Sequence, residues 1–346
     1  ALNESAVATV ARLQAMVAEK LADLGVAAPF AVAFSGGLDS TALLASVPQA
    51  RAIHVHHGLH ACADSWAKHA QSIAQRLGRT CAVLRVEVER DSGLGLEAAA
   101  RAARYAALSV ELREGETLLT AHHAQDQAET LLLRLLRGAG LRGVSGIRSA
   151  NRRVVRPLLD CRRNHLRAAL VQLGEVWRED ASNSDVSIPR NLIRHELLPA
   201  VERVATQIAP GGIEAVARFA AYAAEDEQFL EDAAISLAAR LVVGDQSRPE
   251  QAREGAPHAG QTVTLVRDQL ASAPAPLARR VVRLVAATIA PDRPWSAVHI
   301  EAVLRLARRV QGGGSLDLPG VRVERVSNEV RLMSLAGTIR PGIASD

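Results

Sequence analysis

PFAVAFSGGLDS, residues Pro29 to Ser40, decides how the chain is read. PFAVAF is an apolar run of strand length, and SGG closes it with a turn. Two adjacent glycines let the backbone bend sharply and aim successive N–H groups at an anion. A helix expected from Thr41 to Val47 adds its positive dipole end. Ser35 and Ser40 can donate hydroxyls to phosphate oxygens. Asp39 is the discriminating residue. An acid repels a phosphate unless it holds Mg2+ that bridges the phosphate oxygens. An ordinary turn with a capping Asp is the plainer reading, and six matching residues between strand and helix weigh against it. No GxxxxGK[ST] occurs, so this is not a Walker loop. Ser35, Gly36, Gly37, Leu38, Asp39 and Ser40 form the candidate nucleotide site, with Asp39 as the candidate metal ligand.

On either side of this loop the chain alternates strand and helix signals. Strands are expected at Ala50–His56, Thr80–Val88 and Thr117–Ala121, and helices at Asp64–Leu77 and Glu97–Arg113. Units of this length predict a parallel sheet covered by helices on both faces, with ligands at the carboxyl ends of the strands. Beyond about Val204 long amphipathic helices take over. The segment 244–261 is rich in Gly, Pro and polar residues and reads as a mobile loop. Helices resume at Asp268–Ala290 and Ser296–Val310, and the alternation around Ser327-Asn328 reads as a β-hairpin. The expected division is a catalytic domain at 1–205 and a mainly helical domain at 206–346.

Composition sets looser limits. The 346 residues suit two or three domains, and 48% apolar content supports a sizeable core. A net charge of +4 permits a nucleic-acid partner without requiring one. Lys20 and Lys68 are the only lysines, a bias toward Arg that codon usage explains as well as phosphate recognition does. Cys62, Cys81 and Cys161 form no CxxC pair, which argues against a zinc ribbon and for a reducing, cytoplasmic setting. The opening residues lack the apolar core of a secretory signal, and no apolar run reaches membrane-spanning length.

Three further motifs fall at strand ends or on the helix before one. HVHHGLH, His54 to His60, follows the second strand. No carboxylate or Cys stands among its histidines, so structural or RNA-contacting roles are expected for most of them. Glu97, Arg101, Arg104 and Tyr105 share one helix face, where an exposed ion pair competes with a catalytic role for Arg101. TAHHAQDQAET, Thr120 to Thr130, ends a strand and starts a helix. His122, Asp126 and Glu129 can line one side of a site, for metal binding or general-base work. The stretch Asn151 to Arg167 carries six arginines against one acid. It is more often a solvated face, although its closeness to these motifs favours RNA phosphate.

Taken in order, SGGLDS, HVHHGLH, the Glu97–Tyr105 helix and TAHHAQDQAET resemble the tRNA(Ile)-lysidine synthetases, members of the pyrophosphate-loop superfamily. The resemblance continues through RPLLDCRRNHLRAAL (Arg156 to Leu170) and the segment from Trp177 to Pro199, which holds Ser182-Asn183 and RNLIRHELLP. It covers most of the chain except 244–261. Two positions depart from the pattern: Gln125 stands where an acid is usual, and His60 where Arg is expected.

The resemblance implies an α/β architecture: a parallel-sheet, adenine nucleotide α-hydrolase-like domain followed by a mainly helical domain ending in a β-hairpin. It implies ATP and Mg2+, free L-lysine and tRNA(Ile) with a CAU anticodon as substrates and partners, and it allows a homodimer. The implied reaction adenylates C2 of the wobble cytidine and replaces AMP with the lysine ε-amine. Asp39, Arg101, His122, Asp126 and Glu129 are the implied catalytic residues, and Arg190 and Arg194 the tRNA-contacting ones. The rival readings are a 2-thiolation enzyme, an amidating synthetase and a relative that has lost catalysis. The first lacks suitably spaced cysteines and the second a glutaminase motif, while Gln125 keeps the third open.

Overall fold

The computed structural model describes residues 10–60, 62–88, 95–179, 185–208, 212–243, 261–310 and 312–335. Its contacts divide the chain into two compact units, one ending at Ala224 and the other beginning at Glu225.

The first unit is built on a six-stranded sheet. In chain order it comprises α1 (Val10–Asp23), β1 (Phe30–Ala33), α2 (Leu38–Ser46), β2 (Arg51–His56), α3 (Ala63–Arg76), β3 (Cys81–Arg85), α4 (Leu96–Glu111) and β4 (Thr117–Leu119). There follow α5 (Ala124–Leu136), α6 (Leu141–Val144), β5 (Ala150–Asn151), β6 (Val154–Val155) and α7 (Arg163–Leu173). The strand order is β3-β2-β1-β4-β6-β5. All neighbours are parallel except β5 with β6.

PFAVAF is apolar without alternation because both of its faces are buried. Phe30 and Val32 pack with Leu43 of α2 and Leu166 of α7, whereas Ala31 packs with Ile53, Leu118 and Leu108 of α4. Leu43 is fully buried. Its truncation to Ala would cost about 2–5 kcal/mol, from lost transfer energy and the cavity left behind.

The strand order also positions the site. The chain winds outward from β1 through β2 to β3, then returns to place β4 on the other side of β1. The loops leaving β1 and β4 therefore open a crevice between them, the switch point at which such sheets bind ligands. SGGLDS leaves β1, and TAHHAQDQAET leaves β4.

After α7, the short α8 (Pro189–Leu192) starts with proline, which needs no N–H partner there. It runs through a π-helical turn, Ile193–Leu197, into α9 (Leu198–Ile208). Next comes α10 (Gly212–Leu241), whose Val216, Ala220 and Ala223 pack against Leu131 of α5 and Val144 of α6. That packing is why the first unit extends into α10, past the 205/206 division suggested by the change of pattern.

The second unit holds the end of α10, β7 (Val242–Val243), β8 (Thr262–Val266), α11 (Arg267–Ser272), α12 (Ala275–Ile289), α13 (Ala297–Arg308), β9 (Gly314–Leu318), β10 (Val321–Val326) and β11 (Glu329–Ser334). The expected hairpin is present: β10 and β11 pair antiparallel around Ser327-Asn328, with Ser327 left-handed at φ 52°. It is part of a larger sheet, in the order β7-β8-β11-β10-β9. Alternate residues Val321, Val323, Val330 and Leu332 are buried and share a core with Val281, Val282 and Val285 of α12 and Val303 and Leu304 of α13. The segment read as a mobile loop, 244–261, falls outside the described residues apart from Gln261. No described helix is long and apolar enough to cross a membrane.

Candidate active site

The loop after β1 is held in shape by its own residues. Gly36 sits at φ 75°, a conformation that disfavours any side chain. The Gly37 N–H donates to Ser35 Oγ at 3.3 Å, and Ser40 Oγ donates to the Gly37 carbonyl at 3.1 Å. The two serine hydroxyls lie 3.1 Å apart. From outside, the Arg178 N–H donates to the Gly36 carbonyl at 3.0 Å. The Arg178 guanidinium lies 3.8 Å from the centre of the Trp66 ring, which stacks on His60. Of the other histidines in HVHHGLH, His54 contacts the Phe34 carbonyl through Nδ1 at 2.8 Å and His56 lies 3.3 Å from Asp64. The first ties β2 to the end of β1 and the second ties it to α3.

Opposite the loop, the first turn of α5 carries the acids. Asp126 Oδ2 accepts the His123 N–H at 3.0 Å and caps the helix. Glu129, one turn on, is fully buried. Two guanidiniums close on it from the helix that starts at Pro189. Arg190 Nε donates to Glu129 Oε2 at 2.8 Å and its Nη2 to Asp126 Oδ1 at 2.9 Å. Arg194 Nε and Nη2 donate to the two Glu129 oxygens at 2.6 and 3.0 Å. Both oxygens of this buried carboxylate are met by guanidinium donors, the pairing that burial of a charged group requires. Arg194 lies within the π-helical turn, a distortion that changes the direction of side chains along the helix.

His123 joins the two sides. Its Nε2 stands 3.6 Å from Asp39 Oδ1 and 3.4 Å from Asp126 Oδ2. Burial lowers the His123 pKa, but Asp126 and Asp39 outweigh it and hold the ring above its ordinary value. Burial raises the Asp126 pKa, and His123 and Arg190 more than reverse it. His122 behaves oppositely. Burial, helped by Arg156, Arg101 and Arg190 and opposed by Asp126, pushes it down to about 4. Its Nδ1 lies 3.0 Å from Thr120 Oγ1. At neutral pH it is therefore an uncharged imidazole, a hydrogen-bonding group beside a cluster of charges.

The structure thus gathers most of the expected residues. Asp39 comes together with Asp126 across His123, beside Glu129, while Leu38 of the same loop turns into the core; His122 contributes from the same loop as His123. Arg101 is exposed, stands 5.0 Å from the Tyr105 ring and lies close enough to depress His122. The Glu97 side chain and residues 180–184, with Ser182-Asn183, lie outside the described residues.

Several arginines do more inside the fold than their exposed character suggests. Arg190 and Arg194 are both engaged by acids. In the Arg-rich stretch, Arg153 donates to the Glu116 carbonyl, Arg156 to the Arg148 carbonyl and Arg162 to Glu214. A guanidinium offers five donors, and unmet carbonyls at loop ends take them. His123 was not among the candidate site residues, and Arg163 stood there only as one of the six arginines of its stretch. Arg163 Nε donates to Asp39 Oδ1 at 3.1 Å, across a separation that no local pattern encodes.

Asp39 fits Mg2+ by the chemistry of its donors: this ion commonly takes one or two protein carboxylates and completes its shell with phosphates and water. No cluster of three metal-binding side chains exists among the described residues. An open cavity of about 220 Å3 adjoins the acids, lined by His123, Gln125, Glu129, Arg163 and Arg194 with Leu198 and Ile213 on its apolar side.

Two family models match the chain. Residues 9–201 match a family model described as a PP-loop domain, and residues 265–330 one described as a TilS substrate binding domain. The tRNA(Ile)-lysidine synthase of Alkalilimnicola ehrlichii is 50% identical over 230 residues, covering 63% of this chain and 51% of that protein. That of Pseudomonas syringae pv. tomato is 43% identical over 248 residues, covering 68% and 54%. The chain thus matches about half the length of these curated relatives. Among solved structures, a U34-tRNA thiolase from Methanococcus maripaludis aligns at a TM-score of 0.49 and 14% identity, over 62% of this chain and 78% of its own.

Proposed function

The chain belongs to the PP-loop domain family, and from that membership we propose that it is an ATP-dependent ligase that joins lysine to the wobble cytidine of tRNA(Ile) with a CAU anticodon. The observation that carries the reading is the meeting of Asp39, His123 and Asp126 at one point of the crevice. A phosphate loop there confronts an acid–arginine cluster, and a TilS substrate binding domain follows in the same chain.

Cytidine O2 is a poor leaving group until it is esterified, so ATP must be consumed. O2 attacks the α-phosphate and pyrophosphate leaves. The deprotonated ε-amine of free lysine then attacks C2, and AMP leaves with the oxygen. Mg2+, held by Asp39, would supply positive charge to the phosphates. The N–H groups of Gly36 and Gly37 and the hydroxyls of Ser35 and Ser40 orient the pyrophosphate. Arg101 is assigned to the α-phosphate.

Glu129 has both oxygens occupied by guanidinium donors, so its role is to hold Arg190 and Arg194 in place. Those two cations then face the RNA phosphates or the charge that develops on the transferred group. Asp126, at the crevice edge, receives the lysine ammonium or its proton. His122, uncharged at neutral pH, hydrogen-bonds the base. RNA binding by the second unit, and any pairing of two copies, belong to the same proposal.

Incorporation of labelled lysine into the minor isoleucine tRNA, with ATP present, tests the reading. Asp39→Ala should lower it at least a thousandfold. Lysine transfer by the parent that needs no ATP, or an Asp39→Ala rate equal to the parent's, would refute it.

A further inference from the structure

Arg163, Arg190 and Arg194 bond to acids of the crevice, and their surroundings differ. Arg190 and Arg194 are fastened to the buried Glu129. Arg163 has one carboxylate partner, Asp39, and the two side chains are 49% and 30% exposed. Its main chain is fixed: the Arg163 N–H donates to Gln125 Oε1 at 3.0 Å, at the first residue of α7. A flexible stem on an anchored base can swing its guanidinium without disturbing the fold. Asp39 is the residue that would release it, because this acid must turn to Mg2+ when phosphates enter. Gln125 matters through its lack of charge. An acid at 125 would compete with Asp39 for the guanidinium and would repel the incoming phosphates.

We infer that Arg163 is a phosphate-binding residue of the loop, paired with Asp39 in the ligand-free site and transferred to the β and γ phosphates when the nucleotide binds. The inference rests on the reading that Ser35–Ser40 binds the ATP pyrophosphate. A planar guanidinium is suited to two phosphate oxygens at once, and exchanging a carboxylate for a phosphate preserves its charge pairing. Gln125 is then a positioning residue, setting the base of the Arg163 stem.

Binding of inorganic pyrophosphate and of AMP, each with Mg2+, can be measured by calorimetry on the full chain. Arg163→Gln should weaken pyrophosphate tenfold or more and leave AMP within twofold, with an unchanged melting temperature. Arg163→Lys should recover part of the loss. Gln125→Glu should weaken pyrophosphate several-fold. Arg167→Gln removes the same charge one turn along α7 and should leave pyrophosphate within twofold. Unchanged pyrophosphate affinity in Arg163→Gln, or equal losses in Arg163→Gln and Arg167→Gln, would overturn the assignment. A parent chain that binds neither pyrophosphate nor ATP would instead refute the reading of the loop, and this inference with it.

Discussion

Asp39 and Glu129 are both carboxylates of the same crevice, and their environments could hardly differ more. Asp39 stands in the first turn of α2, partly open to water, with a half-exposed arginine and a histidine edge as neighbours. Glu129 lies inside α5 with no exposed surface and three short contacts to two arginines. The Asp39 carboxylate would give up its half-exposed pair with Arg163 at little cost. The buried one cannot give up its partners, since an unpaired charge there costs several kcal/mol. One crevice thus combines a side that exchanges partners with a side that holds its shape.

That contrast can be broken most readily at Glu129. Glu129→Ala should lower the unfolding free energy by about 3 kcal/mol, the lower end of the range for opening a buried pair, because both arginines retain some exposure. Urea denaturation measures it. A loss below about 1 kcal/mol would mean that the cluster is not the rigid side.

An intermediate effect is expected from His122. Its folded pKa lies near 4 against an ordinary value of 6.5. Between those values the unfolded chain takes up a proton that the folded chain refuses, so stability falls as pH drops from 6.5 to 4. His122→Gln should flatten this part of the stability profile relative to the parent. His123 has the opposite sign, with a raised pKa whose stabilisation is fully present below 6.5 and fades as pH rises through its folded value. Identical profiles for the parent and His122→Gln would exclude burial of a neutral ring.

The smallest effect belongs to Asp39. Asp39→Asn should change stability by less than about 1 kcal/mol, as exposed pairs do. A larger loss would make Asp39 a structural residue and remove the contrast.

Much of this was legible in the sequence, for reasons that differ from element to element. The first strand was readable because two-sided burial makes PFAVAF apolar throughout, and the glycines of SGG mark where it ends. The turn at SGGLDS was readable because its residues are contiguous. The hairpin around Ser327-Asn328 was readable from alternation alone. Its partners in the sheet were not: β8 joins β11 over a long separation, and period-two alternation does not say which strands pair. The closing of Arg190 and Arg194 onto Glu129 was hidden for a similar reason. Their i, i+4 spacing places them on one side of a helix, but the side chain they meet comes from α5. The Arg-rich stretch marked Arg163 only as one of six arginines, because its contact with Asp39 is made by the fold.

The central claim is that Ser35–Ser40 grips the polyphosphate of ATP, and a crystal structure with a non-hydrolysable ATP analogue and Mg2+ tests it most directly. The account predicts the β and γ phosphates against the Gly36 and Gly37 N–H groups, with the metal on Asp39. Phosphates bound anywhere else in the chain would contradict it.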